Sequence, residues 1–323
     1  MSSALYSEGA LIEQAHEDDI WHACWIPGKH RLATAGSDEI VKIWDAQSGE
    51  CVNSLKSGDF AVTSLDINSQ GTKALTSSMD SKLSIWDISG KEDGSTKTVP
   101  ELTVDAGEIN AWKSRFVCRR DSEGASTEII ASSTDKGTVK LWSSGDGQPL
   151  GELNTSRPNF MYALAASPDG TRVACAGVGS HVYVFDVSSG SLVCTFSGHS
   201  DNVRSVSFSA DSSLLVTASD DRQVQLHDVR HGSPVSAFMG HSGWVLSAEM
   251  HPNGAYIASG SVDTKVKIWD VAQRACVETH STHTQAVWSV AWQRSSEDVL
   301  TPRPMLASVG EDCGVRLYDP LLA

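Results

Sequence analysis

Gly240-His241-Ser242-Gly243-Trp244-Val245-Leu246 opens a stretch that closes on Lys265-Val266-Lys267-Ile268-Trp269-Asp270, and its texture decides the fold. Residues 244–249 read as a strand, Pro252-Asn253-Gly254 as a turn and 256–259 as a second strand. Residues 265–269 alternate apolar and polar as a third strand, and 275–279 make a fourth. No part of the chain sustains a 3.6-residue apolar period, so it is essentially all β. Working outward, the closing aromatic-Asp pair returns as Trp44-Asp45, Trp86-Asp87, Phe185-Asp186, Trp269-Asp270 and Tyr318-Asp319, with Trp142-Ser143 and His227-Asp228 filling the gaps. Successive markers stand 42, 56, 43, 42, 42 and 49 residues apart.

Self-similarity at about 40–45 residues ending in Trp-Asp resembles the WD-repeat propeller. The expectation is an all-β, seven-bladed WD40 β-propeller filling residues 1–323 as one domain. Only five residues follow Tyr318, too few for a fourth strand in the last unit. Residues 9–14, with Ala10-Leu11-Ile12 at their centre, are expected to supply it and so close the ring. The two long intervals place insertions at 89–97, before the third unit, at 119–127 in its first hairpin, and at 293–304 in the first hairpin of the seventh.

Carboxylates outnumber Lys plus Arg by 40 to 25, a formal charge of −15 in 323 residues. Such a surface repels a phosphate backbone, and the longest basic run is Arg119-Arg120, so no direct nucleic-acid binding is expected. No apolar stretch reaches the ~18 residues of a membrane helix, and the N-terminus lacks a basic-then-apolar leader, giving a soluble, unsecreted protein. The seven cysteines are scattered without a C-x-x-C pair, which fits neither a zinc site nor a disulfide framework. Cys51, Cys194 and Cys276 are expected as small buried strand residues. No phosphate-binding loop, dinucleotide fingerprint or metalloprotease motif occurs, so neither cofactor, metal nor small-molecule substrate is expected.

Histidines recur at fixed distances from aspartates: His16 to Asp38, His199 to Asp221 and His241 to Asp263 are each 22 residues apart, and His283 to Asp312 is 29. A hydroxyl precedes each aspartate by four residues, namely Thr34, Thr217, Ser259 and Ser308. Trp44, His227, Trp269 and Tyr318 follow it by six. A Ser-His-Asp set suggests a hydrolase. A nucleophile needs one oxyanion hole, however, and here the set repeats in four units without a nucleophile elbow, which points to structural bracing and no enzyme activity. The second to fourth units depart from the pattern, with Gly58 in the histidine slot, Asp135 one place early, and Gly179 and Phe185 for aspartate and tryptophan. Those blades are expected to open more readily.

A propeller offers its rim and two faces. Counting the repeat register puts Trp21, Thr63, Trp112, Tyr162, Arg204, Leu246 and Trp288 around the channel mouth on one face. Asp18, Asp19, Phe60, Asn202 and Trp244 join them from neighbouring loops. Clustered Trp, Tyr and Arg favour protein recognition. Asp18 and Asp19 beside Trp21 suit an arginine from a partner, gripped by carboxylates and stacked on an indole.

Ala15-His16-Glu17-Asp18-Asp19-Ile20-Trp21, the run from Val203-Arg204-Ser205-Val206-Ser207-Phe208 to Leu215-Val216-Thr217-Ala218-Ser219-Asp220-Asp221, and the Gly240–Leu246 stretch resemble the superkiller complex protein eight family, whose plant members are called vernalization independence proteins. The similarity continues through 265–279, Val287-Trp288-Ser289-Val290 and Tyr318-Asp319. It implies a non-catalytic scaffold shared by the cytoplasmic superkiller complex of 3′-to-5′ mRNA decay and the nuclear polymerase-associated factor complex of elongation and histone modification. It also implies a top face that takes short segments bearing an arginine and a hydrophobic anchor, with Asp18, Asp19, Trp21, Trp244 and Trp288 matching by motif. The three insertions depart from compact members. A rival reading, a substrate receptor of a cullin ubiquitin ligase, rests on His227-Asp228-Val229-Arg230.

Overall fold

The computed structural model describes residues 4–90, 99–107, 111–120, 126–294 and 304–321. Its strands form seven four-stranded antiparallel sheets, each a blade, and no helix occurs among the described residues. Six blades are continuous in sequence, running from innermost to outermost strand, and the seventh joins both chain ends. The stretch that opened the sequence reading is blade 6, with strands Val245–Met250, Tyr256–Ser261, Val266–Asp270 and Ala275–His280. The molecule is a seven-bladed propeller.

Alternation explains the packing. In blade 6 the middle strands present Ile257, Ala258, Val266 and Ile268 to both sides, all fully buried. One side meets blade 5 through Val216, Leu226 and Phe238, and the other meets blade 7 through Val287, Val290 and Trp292. Apolar side chains thus fill each cleft between neighbouring sheets rather than one common centre. The innermost strands are tied around the channel by a belt of serines. Ser64, Ser205, Ser247 and Ser289 accept the N–H of Ser114, Ala248, Val290 and Ala23 on the next blade, at 3.1, 3.5, 3.2 and 3.4 Å. His22 takes the serine's place in blade 1 and faces the Thr63 carbonyl at 2.8 Å.

The ring is closed by Tyr6–Ile12, which pairs antiparallel with Val315–Pro320. This strand begins three residues before the expected 9–14 and ends two before its limit. Tyr6 sets the start: it is buried against Trp292, ring centroids 5.3 Å apart. Gln14, at φ 49°, turns the chain away, and the Ala15 N–H then donates to the Cys313 carbonyl at 2.8 Å. The first insertion is placed differently from expectation. It interrupts blade 2 between Lys82–Asp87 and the outer strand Leu102–Asp105, so it precedes that blade's last strand and not the next blade. Residues 91–97 and 121–125 of the first two insertions, and 295–303 of the third, lie outside the described residues.

The cysteine expectation needs correcting. Cys51 and Cys276 are exposed and Cys194 is half-buried. All three lie in outermost strands, whose far edge has no neighbouring strand, so small size there does not imply burial. Cys175, in the second strand of blade 4, is the buried one, and burial pushes its thiol up to about 12.

Candidate functional site

The four His–Asp spacings bring their residues together. In blade 1 the Trp44 indole N–H donates to Thr34 Oγ1 at 2.8 Å, Thr34 meets His16 Nε2 at 2.7 Å, and His16 Nδ1 meets Asp38 at 2.8 Å. Blade 6 repeats this through Trp269, Ser259, His241 and Asp263, every step 2.8 Å. In blade 5 His227 replaces the indole, 3.1 Å from Thr217, which leads to His199 and Asp221 at 2.8 Å each. In blade 7 the Tyr318 hydroxyl lies 3.0 Å from Ser308, which reaches His283 at 2.6 Å, and His283 reaches Asp312 at 3.0 Å. A neutral imidazole fits by accepting the hydroxyl proton at Nε2 and donating Nδ1–H to the carboxylate, leaving the hydroxyl oxygen for the indole. Burial alone would raise Asp38, but the His16 hydrogen bond and the Ile40 and Glu17 backbone N–H groups outweigh it and hold the carboxyl low. Asp221, Asp263 and Asp312 are lowered in the same way.

The hydroxyls and imidazoles of these quartets are buried, so they offer no open reaction centre. Blades 2 and 3 keep only the inner half. Trp86 donates to Thr76 at 3.0 Å, with the Ser57 hydroxyl 3.3 Å from Thr76, and Trp142 donates to Ser132 at 2.9 Å. The Asp135 Oδ1 is buried without a partner among the described residues, as expected for an aspartate one place out of register.

The accessible chemistry is on the face where loops entering each innermost strand meet the turns between second and third strands. Backbone hydrogen bonds join the two loop sets blade by blade: Ser37 to Asp19, Met79 to Ala61, Val178 to Phe160, Asp220 to Asn202, Val262 to Trp244 and Glu311 to Ala286, at 2.8–3.0 Å. At Gly36 an added Cβ would strike the Asp19 carbonyl oxygen, so the approach is open only to glycine. Trp21, Thr63, Arg204, Leu246 and Trp288 are each the extra residue of a β-bulge at the top of the innermost strand. The bulge turns that side chain out of the sheet and toward the channel mouth.

Two of the counted positions need correction. Trp112 is not one of them: the Trp112 N–H donates to the Ser133 carbonyl and the Ser133 N–H to the Lys113 carbonyl, so Lys113 faces Ser133 as Ser64 faces Ser77, and Trp112 holds the bulge slot of blade 3. Leu246 occupies a bulge but is buried, 7% exposed. Thr63 is buried also. Phe60 and Trp244 are the open ones, each 51% exposed.

Trp112 starts a continuous stack. Its ring meets Phe160 edge-on at 5.2 Å, Phe160 meets Tyr162 at 5.0 Å, and the Arg204 guanidinium lies 4.5 Å from the Tyr162 ring and 5.6 Å from the Trp244 ring. Asp220 holds that guanidinium in two-point fashion, Nε to Oδ1 at 2.8 Å and Nη2 to Oδ2 at 2.7 Å. The arc therefore crosses blades 3 to 6. It ends beside an open hollow of about 400 Å³ lined by Asp220, Arg222, Ser242, Gly243, Trp244 and Val262. On blades 1 and 7, Trp21 and Trp288 stand 6.4 Å apart, and the buried Trp288 indole N–H has no acceptor among the described residues. Next to them the acids gather: burial, Asp18 and Glu311 together raise the Asp19 carboxyl, against the Trp21 indole. A cation placed there would relieve that crowding.

Phe160 was missed by the sequence reading, as were exposed Met79, Val178 and Val262 on the same face. A signal existed for the last three. Each is an apolar residue in an otherwise polar tight turn, one place before the aspartate slot at Asp80, Gly179 and Asp263.

The WD domain, G-beta repeat family matches residues 10–45, 49–87, 190–228, 232–270 and 274–319. The matched segments omit 88–189, which hold most of blades 3 and 4, where the repeat residues depart most. The chain is similar to WD repeat-containing protein SL1-17 of Schistosoma mansoni, 30% identical over 223 residues that cover 67% of this chain and 68% of that one. It is 32% identical to WD repeat-containing protein VIP3 of Arabidopsis thaliana over 214 residues, covering 61% of this chain and 63% of that one. THO complex subunit 3 of Arabidopsis thaliana is 26% identical over 209 residues, covering 64% and 61%.

Proposed function

The chain belongs to the WD domain, G-beta repeat family, and on that premise we propose that it is a non-catalytic scaffold that docks short segments of partner proteins on the face bearing Trp21, Trp244 and Trp288. The observation that carries this reading is the aromatic arc from Trp112 to Trp244 set against the acidic sector at Asp18, Asp19 and Glu311. Large flat side chains held by stacking lose little entropy on binding, and Trp, Tyr and Arg concentrate binding energy. The partner segment carries an arginine for Asp18 and Asp19 near the Trp21 indole, and a hydrophobic anchor for the hollow beside Trp244 and Val262. The assemblies proposed are the superkiller and polymerase-associated factor complexes, placing the protein in both nucleus and cytoplasm. The sequence runs quoted above and the similarity to VIP3 support that assignment. Any effect on RNA is then through partners, in keeping with the net charge of −15.

Affinity purification of the whole chain tests the assignment. Recovery of superkiller helicase and polymerase-associated subunits supports it, whereas a cullin-ligase adaptor in their place would favour the receptor reading. Trp21→Ala, Asp19→Lys and Trp244→Ala should each lower partner recovery about tenfold with the melting temperature retained. Unchanged recovery in all three would reject this face.

A further inference from the structure

We propose that the upper part of the central channel, at His22, Lys113 and Arg115, is a binding site for a small oxyanion, a carboxylate or a phosphate group. It is separate from the acidic docking sector and of opposite sign. Lys113 fills the belt position of blade 3, facing Ser133 as Ser64 faces Ser77, and reaches past blade 2 to His22 of blade 1, its Nζ 2.5 Å from Nε2 and 3.4 Å from Nδ1. His22 and Lys113 thus stand in the belt at the level where blades 2, 5, 6 and 7 carry a small, neutral serine. Arg115 Nη1 lies close by and spends its contacts on neutral oxygens: Ser64 Oγ at 3.3 Å, the Leu65 carbonyl at 3.4 Å and the Ser114 carbonyl at 2.9 Å.

Three bases therefore converge without a carboxylate at Lys113 or His22 among the described residues. Burial and then Arg115 push Lys113 well below its ordinary value, and burial, Lys113 and Arg115 do the same to His22, outweighing the contact with Thr63. Asp66 accepts the Phe116 N–H at 2.8 Å and is raised by its own burial, against the attraction of Arg115. Burying an ammonium beside an imidazole with no counter-charge is costly, and this chain has 40 carboxylates from which one could have been placed. An incoming oxyanion supplies the missing charge, accepting hydrogen bonds from Lys113 Nζ and from His22 once protonated, with Arg115 adding attraction.

The test uses the whole chain purified in chloride and titrated with inorganic phosphate or with acetate at constant ionic strength, read by thermal shift and calorimetry. Saturable stabilisation by at least one of them is expected, with affinity falling about tenfold or more in Lys113→Met. Lys113→Met itself should melt no lower than the wild type without added anion, because it removes an unpaired charge. A phosphate-selective response identifies a free or esterified phosphate as the occupant, and an acetate-selective one identifies a carboxylate of a partner chain. His22 ring nitrogens, followed by NMR, should shift on saturation and provide a readout if Lys113→Met folds poorly. No saturable response to either ion in the wild type, or an equal response in Lys113→Met, would overturn the site.

Discussion

The Arg204 guanidinium lies 4.5 Å from the Tyr162 ring, so a cation of blade 5 rides on an aromatic of blade 4. Its counter-ion Asp220 keeps only 2% of its side chain exposed. Arg204→Ala should therefore strand a buried carboxylate and cost about 2 kcal/mol, somewhat less than a fully buried pair because Arg204 is itself partly open. Arg204→Lys keeps the charge without the planar fork and should fall between. Adding Asp220→Asn to Arg204→Ala should recover part of the loss, which urea unfolding of the four proteins would measure.

The hydroxyl at the centre of each quartet serves two partners at once. Thr34→Ala and Ser259→Ala remove the indole's acceptor and the imidazole's donor together, and should each cost about 2 kcal/mol. Thr76→Ala deprives Trp86 but no histidine, and about 1 kcal/mol is expected. Hydrogen exchange should follow the same order, with amides of blades 2 to 4 exchanging sooner than those of blades 5 to 7. Uniform protection around the ring would contradict it.

Acid should weaken the fold in two stages. Burial holds His227 and His251 down to about 4, against 6.5 when unperturbed. Between those values the unfolded chain binds more protons, so stability is complete above about pH 6.5 and declines as pH falls toward 4, by up to about 3 kcal/mol per histidine. Asp38, Asp221, Asp263 and Asp312 are lowered, so their contribution is present above the ordinary carboxylate range and lost beneath it. Urea midpoints at pH 7.5, 5.5 and 4 would show the first stage and a further series at about pH 2.5 the second, and His227→Phe should flatten the first.

Removing residues 1–12 should lower the melting temperature sharply and promote self-association, because it unpairs the Val315–Pro320 edge and takes Tyr6 from Trp292. Gly9→Val should give a milder defect, since its Cβ would press on the Asp319 carboxylate and the Leu317 carbonyl. Calorimetry and size-exclusion chromatography distinguish the two, and a truncated chain as stable as the whole one would contradict this account of closure.

The blades and their quartets were legible because both depend on residues at constant separation, such as His241, Ser259, Asp263 and Trp269. The surface was read less well. Lys113 was passed over because it fills the belt position that serine holds in blades 2, 5, 6 and 7, where the repeat spacing carries no sign of a site. Leu246 and Thr63 share their backbone position with Arg204 yet are buried, so the bulge position alone does not carry a side chain into water. Phe160 carries no repeat signature, and only its stacking on Trp112 and Tyr162 gives it a place.

The pairing of Ser7 with Asp319 spans 312 residues. During synthesis the first strand leaves the ribosome with no partner and must wait for the strand Val315–Pro320. Blades 1 to 6 can assemble in order as they emerge, but the ring is sealed only once that last strand has followed. Until then the nascent chain exposes two unpaired sheet edges, which makes this stage the one most in need of a chaperone.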